Sequence, residues 1–540
     1  MDNRGIAERL DAFAALLELA EANPYTIRAY RRAADTIRGA ALPVTDLVRA
    51  GRVRELRGIG PGIEARLREL VDTGQIAELA ELERELTPEL VGLGRYLGLT
   101  AKRSIEVARA LDIRTAAQFR EAAAAGRLRN VPGIGPKTEA RLLGALEHVA
   151  DPEPARGLLL NRAWELVGAI AAALDAEVAG DVRRWRESCR ELVVVCAARD
   201  PRPRLSAFAQ LPQIVAVIEQ AEWRAIGVTV DGIPVELVVA QPESFGSALL
   251  RATGTSAYVA ALEPLPDAPD ERSVFAAMDL PWCPPELREE AFTSEPPPLL
   301  AQGEIRGDLH AHTTWSDGRQ SVEEMGRAAR DRGYDYLAIC DHTPAVGAVR
   351  GLTADDVRRQ GEEIAAANDL LAPFRVLRGI ECDILPDGRL DLPDDVLAEL
   401  EWVQASVHGG QRMPRREMTK RVLDALENPY VRCLSHPTGR YINARPENAL
   451  DLDRVYETAL TNGVALEVNG LPPRLDLSGA HVRDAVRAGV SLVCSTDAHS
   501  TAGLSNMRFA VATARRGWAT AADVLNTRGL TTILTARRAT

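Results

Sequence analysis

The chain has 540 residues, 46% of them hydrophobic and 4% aromatic, with a formal net charge of −12. At about 150 residues per domain this length predicts roughly three or four domains, the apolar content excludes a wholly disordered or fibrous chain, and no run approaches the roughly 20 apolar residues of a membrane helix. The acidic balance excludes a broad basic field for nucleic acid, yet residues 1–150 carry 23 Lys and Arg against 21 Asp and Glu, so any such grip falls there and works by local geometry.

From the start, Met1–Phe13 is charged and helix-patterned with no apolar signal core, so a cytoplasmic, nucleoid-associated protein without membrane contact is expected. Residues 2–150 read as short Ala-, Leu-, Glu- and Arg-rich helices broken by Gly-Pro punctuation. Two segments resemble each other: Leu56-Arg-Gly-Ile-Gly-Pro-Gly62 before IEARLREL, and Val131-Pro-Gly-Ile-Gly-Pro-Lys137 before TEARLLGAL. Glycine permits positive φ and close backbone approach, proline suits a first helical turn, and the unpaired amides of that turn can hold a phosphate. A tight connection between packed helices would account for one copy; two copies, each followed by Glu-Ala-Arg-Leu, point instead to the helix-hairpin-helix, which grips DNA backbone without reading bases. Gly58, Gly60, Gly62, Gly133, Gly135 and Lys137 are its candidate DNA contacts. A third, weaker candidate is Val91-Gly-Leu-Gly94.

Between 157 and 262 a helical pattern gives way to β-rich runs, ELVVVCAA (191–198) and IPVELVVA (233–240), predicting an α/β piece. Glu263 to Gln302 is Pro-rich and reads as a poorly structured connection ending near 302. From 303 onward, seven β-like runs alternate with helical patterns: 307–313, 336–342, 376–384, 402–409, 431–437, 464–470 and 491–500. Such alternation predicts a parallel sheet closed as a barrel, whose active sites lie at the C-terminal ends of the strands.

The ionisable residues of this half gather at those ends in every run but the sixth. The chain has eight histidines, and six of them, His310, His312, His342, His408, His436 and His499, close predicted strands, while His148 and His481 lie elsewhere. Asp317, Glu381 and Asp497 accompany them. Imidazole mixed with carboxylate suits Zn, Mn or Fe rather than Ca, and nine ligands exceed one tetrahedral ion, so two or three divalent metal ions are expected. The spacing of His310 and His312 lets both clasp one ion, and Glu381 has two oxygens with which to bridge. Seven scattered cysteines with no Cys-x-x-Cys pair read as buried thiols.

GDLHAHTTWSDG, CDHT, GIECDI, SVHG, SHPTGR and STDAHS resemble, in order, the motifs of the polymerase and histidinol phosphatase (PHP) family. That resemblance implies a distorted (β/α)7 barrel over 303–540, a trinuclear site built from the nine residues named, phosphoester hydrolysis, and Mn foremost among the metals, with Zn or Fe as alternatives. The front half resembles bacterial family X DNA polymerases, on NPYTIRAYRRAADTIR (23–38), the two hairpins, EVAGDVRRWRESCRELVVV (177–195) and VELVVAQPESFGSALLRATG (235–254). It implies a helical DNA-end-binding domain over 1–85, a fingers-like helical region over 86–150, and a nucleotidyltransferase-like α/β core with the Pro-rich linker over 151–302.

The polymerase chemistry of that family is not repeated. Its Asp-x-Asp pair and third aspartate correspond to Glu191, Val193 and Glu236, and a valine cannot hold Mg. The Gly-Ser that grips triphosphate corresponds to Gly180-Asp181, Trp185 replaces a glycine, and Ala252 replaces an aromatic residue. The lyase lysine positions correspond to Gly62 and Arg66, and 1–101 contains no lysine, which removes Schiff-base chemistry by that route. The expectation is a metal-dependent DNA phosphodiesterase, a 3′-5′ exonuclease acting in repair on gapped, nicked or 3′-end substrates, including abasic ends, with Arg440 as a candidate phosphate holder and polymerisation lost. The alternatives are a histidinol-phosphatase-like small-molecule phosphatase and a non-catalytic DNA-end scaffold.

Overall fold

A computed structural model of the chain describes residues 3–19, 23–38, 40, 43–56, 58–79, 88–99, 101–113, 115–147, 157–229, 231–290 and 295–535; His148 and residue 86 lie outside them. Two compact units result, Met1–Ala155 with Leu166–Val178 and Glu191–Phe245, and Arg156–Glu165 with Ala179–Arg190 and Gly246–Thr540. The strands in chain order are β1 (Leu158–Leu159), β2 (Glu177–Ala179), β3 (Ser188–Cys189), β4 (Leu192–Ala197), β5 (Ala216–Gln220), β6 (Arg224–Val228) and β7 (Pro234–Ala240), then β8 (Gly307–Ala311), β9 (Tyr336–Ile339), β10 (Arg375–Asp383), β11 (Trp402–Ser406), β12 (Cys433–Leu434), β13 (Ala465–Asn469) and β14 (Leu492–Ser495). Among the described residues no helix is long and apolar enough to cross a membrane.

In the first unit the two glycine hairpins fold alike. Each follows a single 3₁₀ turn, Val53–Glu55 or Leu128–Asn130. Gly58 and Gly133 sit at φ +88° and +81°, where a side chain would be strained. The next residue, Ile59 or Ile134, is buried and donates its amide to the carbonyl of Leu56 or Val131. Pro61 and Pro136 then open the helices Pro61–Thr73 and Pro136–Glu147, whose first closing bonds run from the Glu64 and Glu139 amides to Gly60 and Gly135 at 2.9 and 3.0 Å. A mixed sheet of order β2-β4-β7-β6-β5 completes this unit. β4 and β7 run parallel through Val194, Val195 and Leu237, all fully buried.

The second unit is a parallel sheet of order β14-β13-β12-β11-β10-β9-β8. It is nearly closed: Ala311 bridges Ala498 in parallel, and the His312 amide donates to the Ala498 carbonyl at 2.8 Å. Helices alternate with the strands as the periodicity predicts, several opened by side-chain caps, among them Ser321 with Glu324 and Thr353 with Asp356. Six of the seven strands are shorter than the apolar runs suggest, while β10 keeps nine residues. β9 stops at Ile339, three residues before His342, which makes an isolated parallel bridge to Glu381, and β12 has two residues.

Two stretches depart from expectation. Residues 263–290, expected to be poorly structured, carry the helix Glu271–Ala277 and pack Val274, Phe275, Cys283 and Leu287 in one cluster. Fully buried Arg288 stacks on Trp282 and pairs with Glu271 beneath it. Aromatic and ionic contacts distant in sequence outweigh the local proline signal. The segment 179–190 belongs to the barrel unit: Trp185, at φ +57°, sets its ring 5.0 Å from Trp164 and 6.1 Å from Phe509 of the helix Met507–Arg516. Glu187 lies 2.8 Å from Arg516 and 3.6 Å from Arg440 and accepts the Gly479 amide. Burial opposes its charge, but the two guanidiniums hold its carboxyl well below the usual range.

Removing one partner of a buried ion network leaves the others uncompensated. Glu187→Ala is therefore expected to lower the stability of the barrel unit by about 3 kcal/mol, read as a lower urea midpoint at unchanged slope. An unchanged midpoint would show that the network is solvated.

Candidate metal centre

The C-terminal rim of the barrel gathers the ionisable residues into three connected groups: His312, Asp317, His342 and His499; His310, His312 and Asp497; and His342, Glu381 and His408. Within each, one donor atom per residue lies within 4.8 Å of the others, and His312 and His342 are shared between groups. His436, the ninth residue singled out in the sequence, joins through Glu381, its Nε2 2.8 Å from Oε1. Glu381 is central: its two oxygens also lie 3.0 Å from His342 and 3.4 Å from His310 and His408. On the other side Asp497 lies 3.1 Å from His312, and Asp317 lies 3.2 Å from His499.

Burial and charge set the protonation of this cluster. Burial penalises the His310 imidazolium, yet Glu467, Glu381 and Asp497 raise its pKa well above the ordinary value. His312 is pushed down to about 3 by burial and by its neighbours His499 and His342. Burial also works against the charge of His499, but its bond to Asp317 and the charges of Asp497 and Asp317 together carry it up to about 9. Burial likewise works against the charge of Glu381 and Asp497, but the surrounding imidazoles hold both carboxyls well below the usual range.

Among the described residues, the Nδ1 atoms of His312 and His436 are buried without a hydrogen-bond partner. Unmet imidazole nitrogens facing paired carboxylates are the donor set that divalent first-row metals take, so the residues present fit such ions. His310, His312, Asp317, His342, Glu381, His408, His436, Asp497 and His499 are the residues able to hold them.

A ring of further carboxylates orients these donors. Glu467, mid-strand in β13 and fully buried, lies 2.7 Å from His310 Nδ1 and accepts the His436 amide at 2.6 Å, so His310 turns its Nε2 toward the cluster. The sixth run, which lacks an ionisable residue at its very end, thus supplies the orienting acid. Asp308 accepts the Thr496 hydroxyl and amide and steadies the turn before Asp497. Asp341 accepts the Thr313 amide and hydroxyl and the Gln360 amide nitrogen, fixing the loop that carries Asp317. Asp383 lies 3.1 Å from His408 Nδ1. Asp308, Asp341 and Asp383 stand within two residues of His310, His342 and Glu381 in the motifs GDLHAHT, CDHT and GIECDI, and that proximity is the sequence signal, whereas Glu467 lies in none of the motifs.

The remaining sequence candidates fall elsewhere. Arg440 donates from Nε to the Arg474 carbonyl at 3.0 Å and from a second nitrogen to the Leu475 carbonyl. Gly58, Gly60, Gly62, Gly133, Gly135 and Lys137 lie on the two hairpins of the first unit. Val193 pairs across β4/β7 with Glu236, and Glu191 precedes β4 by one residue.

Residues 1–76 match the helix-hairpin-helix domain family, and residues 308–469 match the PHP domain family. Over 98% of its length and 98% of the relative's, the chain is 34% identical to the DNA polymerase/3′-5′ exonuclease PolX of Bacillus subtilis (strain 168). Over 36% of the chain it is 31% identical to a "Probable phosphatase" of Acetivibrio thermocellus, covering 78% of that protein, and over 41% of the chain 27% identical to one of Thermoanaerobacter sp. (strain X514), covering 89%. Glycine hairpins, barrel and rim thus occur together along one full-length alignment, and the chain belongs to the PolX family of bacterial DNA polymerase/3′-5′ exonucleases, with a helix-hairpin-helix domain and a PHP domain.

Proposed function

We propose that this protein is a metal-dependent DNA phosphodiesterase that shortens DNA from 3′ ends, extends to abasic or damaged ends in repair, and no longer polymerises. The observation that carries the reading is the set of three connected His, Asp and Glu groups at the barrel rim, in a chain that also bears a DNA-gripping hairpin domain. Divalent ions in such sites generate a nucleophile from water near neutral pH and offset charge developing on the phosphoryl group. Mn is the metal we expect to support turnover, with Zn or Fe as alternatives. Glu467 keeps His310 in the tautomer that offers Nε2, and Asp383 is placed to do the same for His408.

Loss of polymerisation is supported by the first unit. Val193, where a metal-binding aspartate would stand, lies directly opposite Glu236, and Glu236 is engaged by Arg224, which also reaches Glu219 at 2.7 Å. In the barrel unit, the Asp181 carboxylate, at the position of the serine that would grip a triphosphate, is paired with Arg184 and accepts the Arg190 amide at 2.7 Å, so it offers phosphate no hydrogen-bond donor. Arg66 is paired with Glu69 and Glu78, and no lysine precedes Lys102. A second reading, hydrolysis of a small phosphomonoester, is favoured by the relatives called probable phosphatases, which align with about two-fifths of the chain or less.

The primary test is metal-defined protein with a 5′-labelled primer-template, with and without nucleoside triphosphates. Stepwise shortening with Mn and no extension is expected; extension would mean the core finds its metals elsewhere, and cleavage only of a small phosphomonoester would favour the second reading. His310→Ala with Asp497→Ala should abolish hydrolysis while DNA binding stays within about threefold, since the hairpins lie in another unit. Unchanged nuclease rates in that variant would remove the barrel from the mechanism.

A Cβ placed on Gly60 or Gly135 meets nothing within 4 Å, and neither has a positive φ. Gly60→Leu and Gly135→Leu should therefore fold, yet block close approach of a phosphate backbone. We expect about tenfold weaker DNA binding, roughly the loss of one good backbone contact, at unchanged turnover of a small phosphoester. Equal losses on both substrates would indicate general unfolding.

A further inference from the structure

The loop after β13 brings a second arginine to the rim. Arg474 is 11% exposed, with Nε 3.6 Å from Asp497 Oδ2 and its guanidinium 4.9 Å above the Tyr441 ring. Among the described residues its Nε and Nη1 are buried and have no hydrogen-bond acceptor. The charge itself is well supported: burial disfavours it, but Asp497, Tyr441, Glu381 and Asp476 outweigh that. The guanidinium is thus held as a cation beside the metal centre with donors to spare.

A buried guanidinium with unmet N–H groups is costly unless something supplies acceptors. Asp497 is placed to offer its oxygens to metal, and Tyr441 offers only its ring face. What fits is an anion that brings several oxygens on one centre, as a phosphoryl group does, since a planar fork of donors matches that geometry. Arg440 differs. Its guanidinium bonds to the backbone carbonyls of Arg474 and Leu475 and is flanked by Glu187 and Glu447 at 3.6 and 3.9 Å.

We propose that the Arg474 guanidinium receives a non-bridging phosphoryl oxygen of the substrate at the metal centre, and that Arg440 is a positioning residue that anchors the backbone of Arg474. This rests on the phosphoesterase reading above. Arg474 orients the phosphoryl group and counters the charge that grows on its oxygens, and no proton leaves the guanidinium.

The test uses full-length, Mn-loaded protein and the variants Arg474→Ala and Arg474→Lys. Three quantities are measured: Mn stoichiometry by elemental analysis, inorganic phosphate binding by calorimetry, and kcat/KM on labelled DNA and on a small phosphodiester. Arg474→Ala is expected to keep its Mn, bind phosphate at least tenfold more weakly, and lose about a hundredfold in kcat/KM on both substrates, as removal of one transition-state donor does. Arg474→Lys should recover part of the phosphate affinity, because it restores the charge without the fork. Loss of Mn from both variants would overturn the proposal by making Arg474 a counter-charge for Asp497. So would phosphate binding and turnover within about threefold of the parent. Hydrolysis of neither substrate by the unsubstituted protein would overturn the phosphoesterase reading itself, an outcome distinct from failure of the variants alone.

Discussion

Glu381 has both carboxylate oxygens out of water and within 3.4 Å of the imidazoles of His310, His342, His408 and His436. Taking so many ionisable groups from water costs far more than hydrogen bonds among them return, and the barrel is built to meet that cost. Four carboxylates behind the donors, Asp308, Asp341, Asp383 and Glu467, direct each ring or loop inward, and the hydroxyl and amide groups of Thr313 and Thr496 satisfy the oxygens that face away. Opposed protonation tendencies coexist a few ångströms apart, His312 pushed down by burial and by His499 and His342, and His499 raised against burial by Asp317 and Asp497.

The same demand shapes the chain around the rim. Arg440 and Arg516 converge on Glu187, in a segment that resembles the nucleotide-gripping part of a polymerase but folds with the barrel. Trp185 sets its ring against Phe509. Asp181, unsuited to phosphate, is held by Arg184. These side chains pack and pair within the barrel unit. In the first unit the sheet holds a valine core, with Val193 opposite Glu236 and Glu236 paired with Arg224. A sheet of this kind needs only apolar burial to form, whereas metal chemistry needs particular oxygens.

Much of this was legible in the residues. Gly-Ile-Gly-Pro specifies its own backbone, since left-handed glycine and helix-opening proline act within a few residues, and both hairpins fold as their repetition predicts. Strand and helix alternation after 303 led to a seven-stranded parallel barrel, and the topology of such a barrel sends all strand ends to one rim. His310, Glu381 and Asp497 could therefore be expected to meet although 187 positions separate the first from the last.

What local pattern could not carry was any contact whose partners are distant and whose residue types are common. The Pro-rich stretch through 290 packs because Arg288 finds Glu271 and Trp282. Glu467 looks like a polar residue in an apolar strand until His310 stands 2.7 Å away. Arg440 and Arg474 are indistinguishable as letters, yet one spends its donors on carbonyls and the other keeps buried N–H groups unmet beside Asp497. The sequence by itself determined the hairpins, the barrel and which ionisable residues gather at its rim, because backbone preference and alternation are short-range and the rim follows from topology. Tertiary structure alone decided which carboxylates orient the ligands and which arginine faces the centre, because solvent exclusion and the direction of a long side chain are set by neighbours that no local pattern specifies.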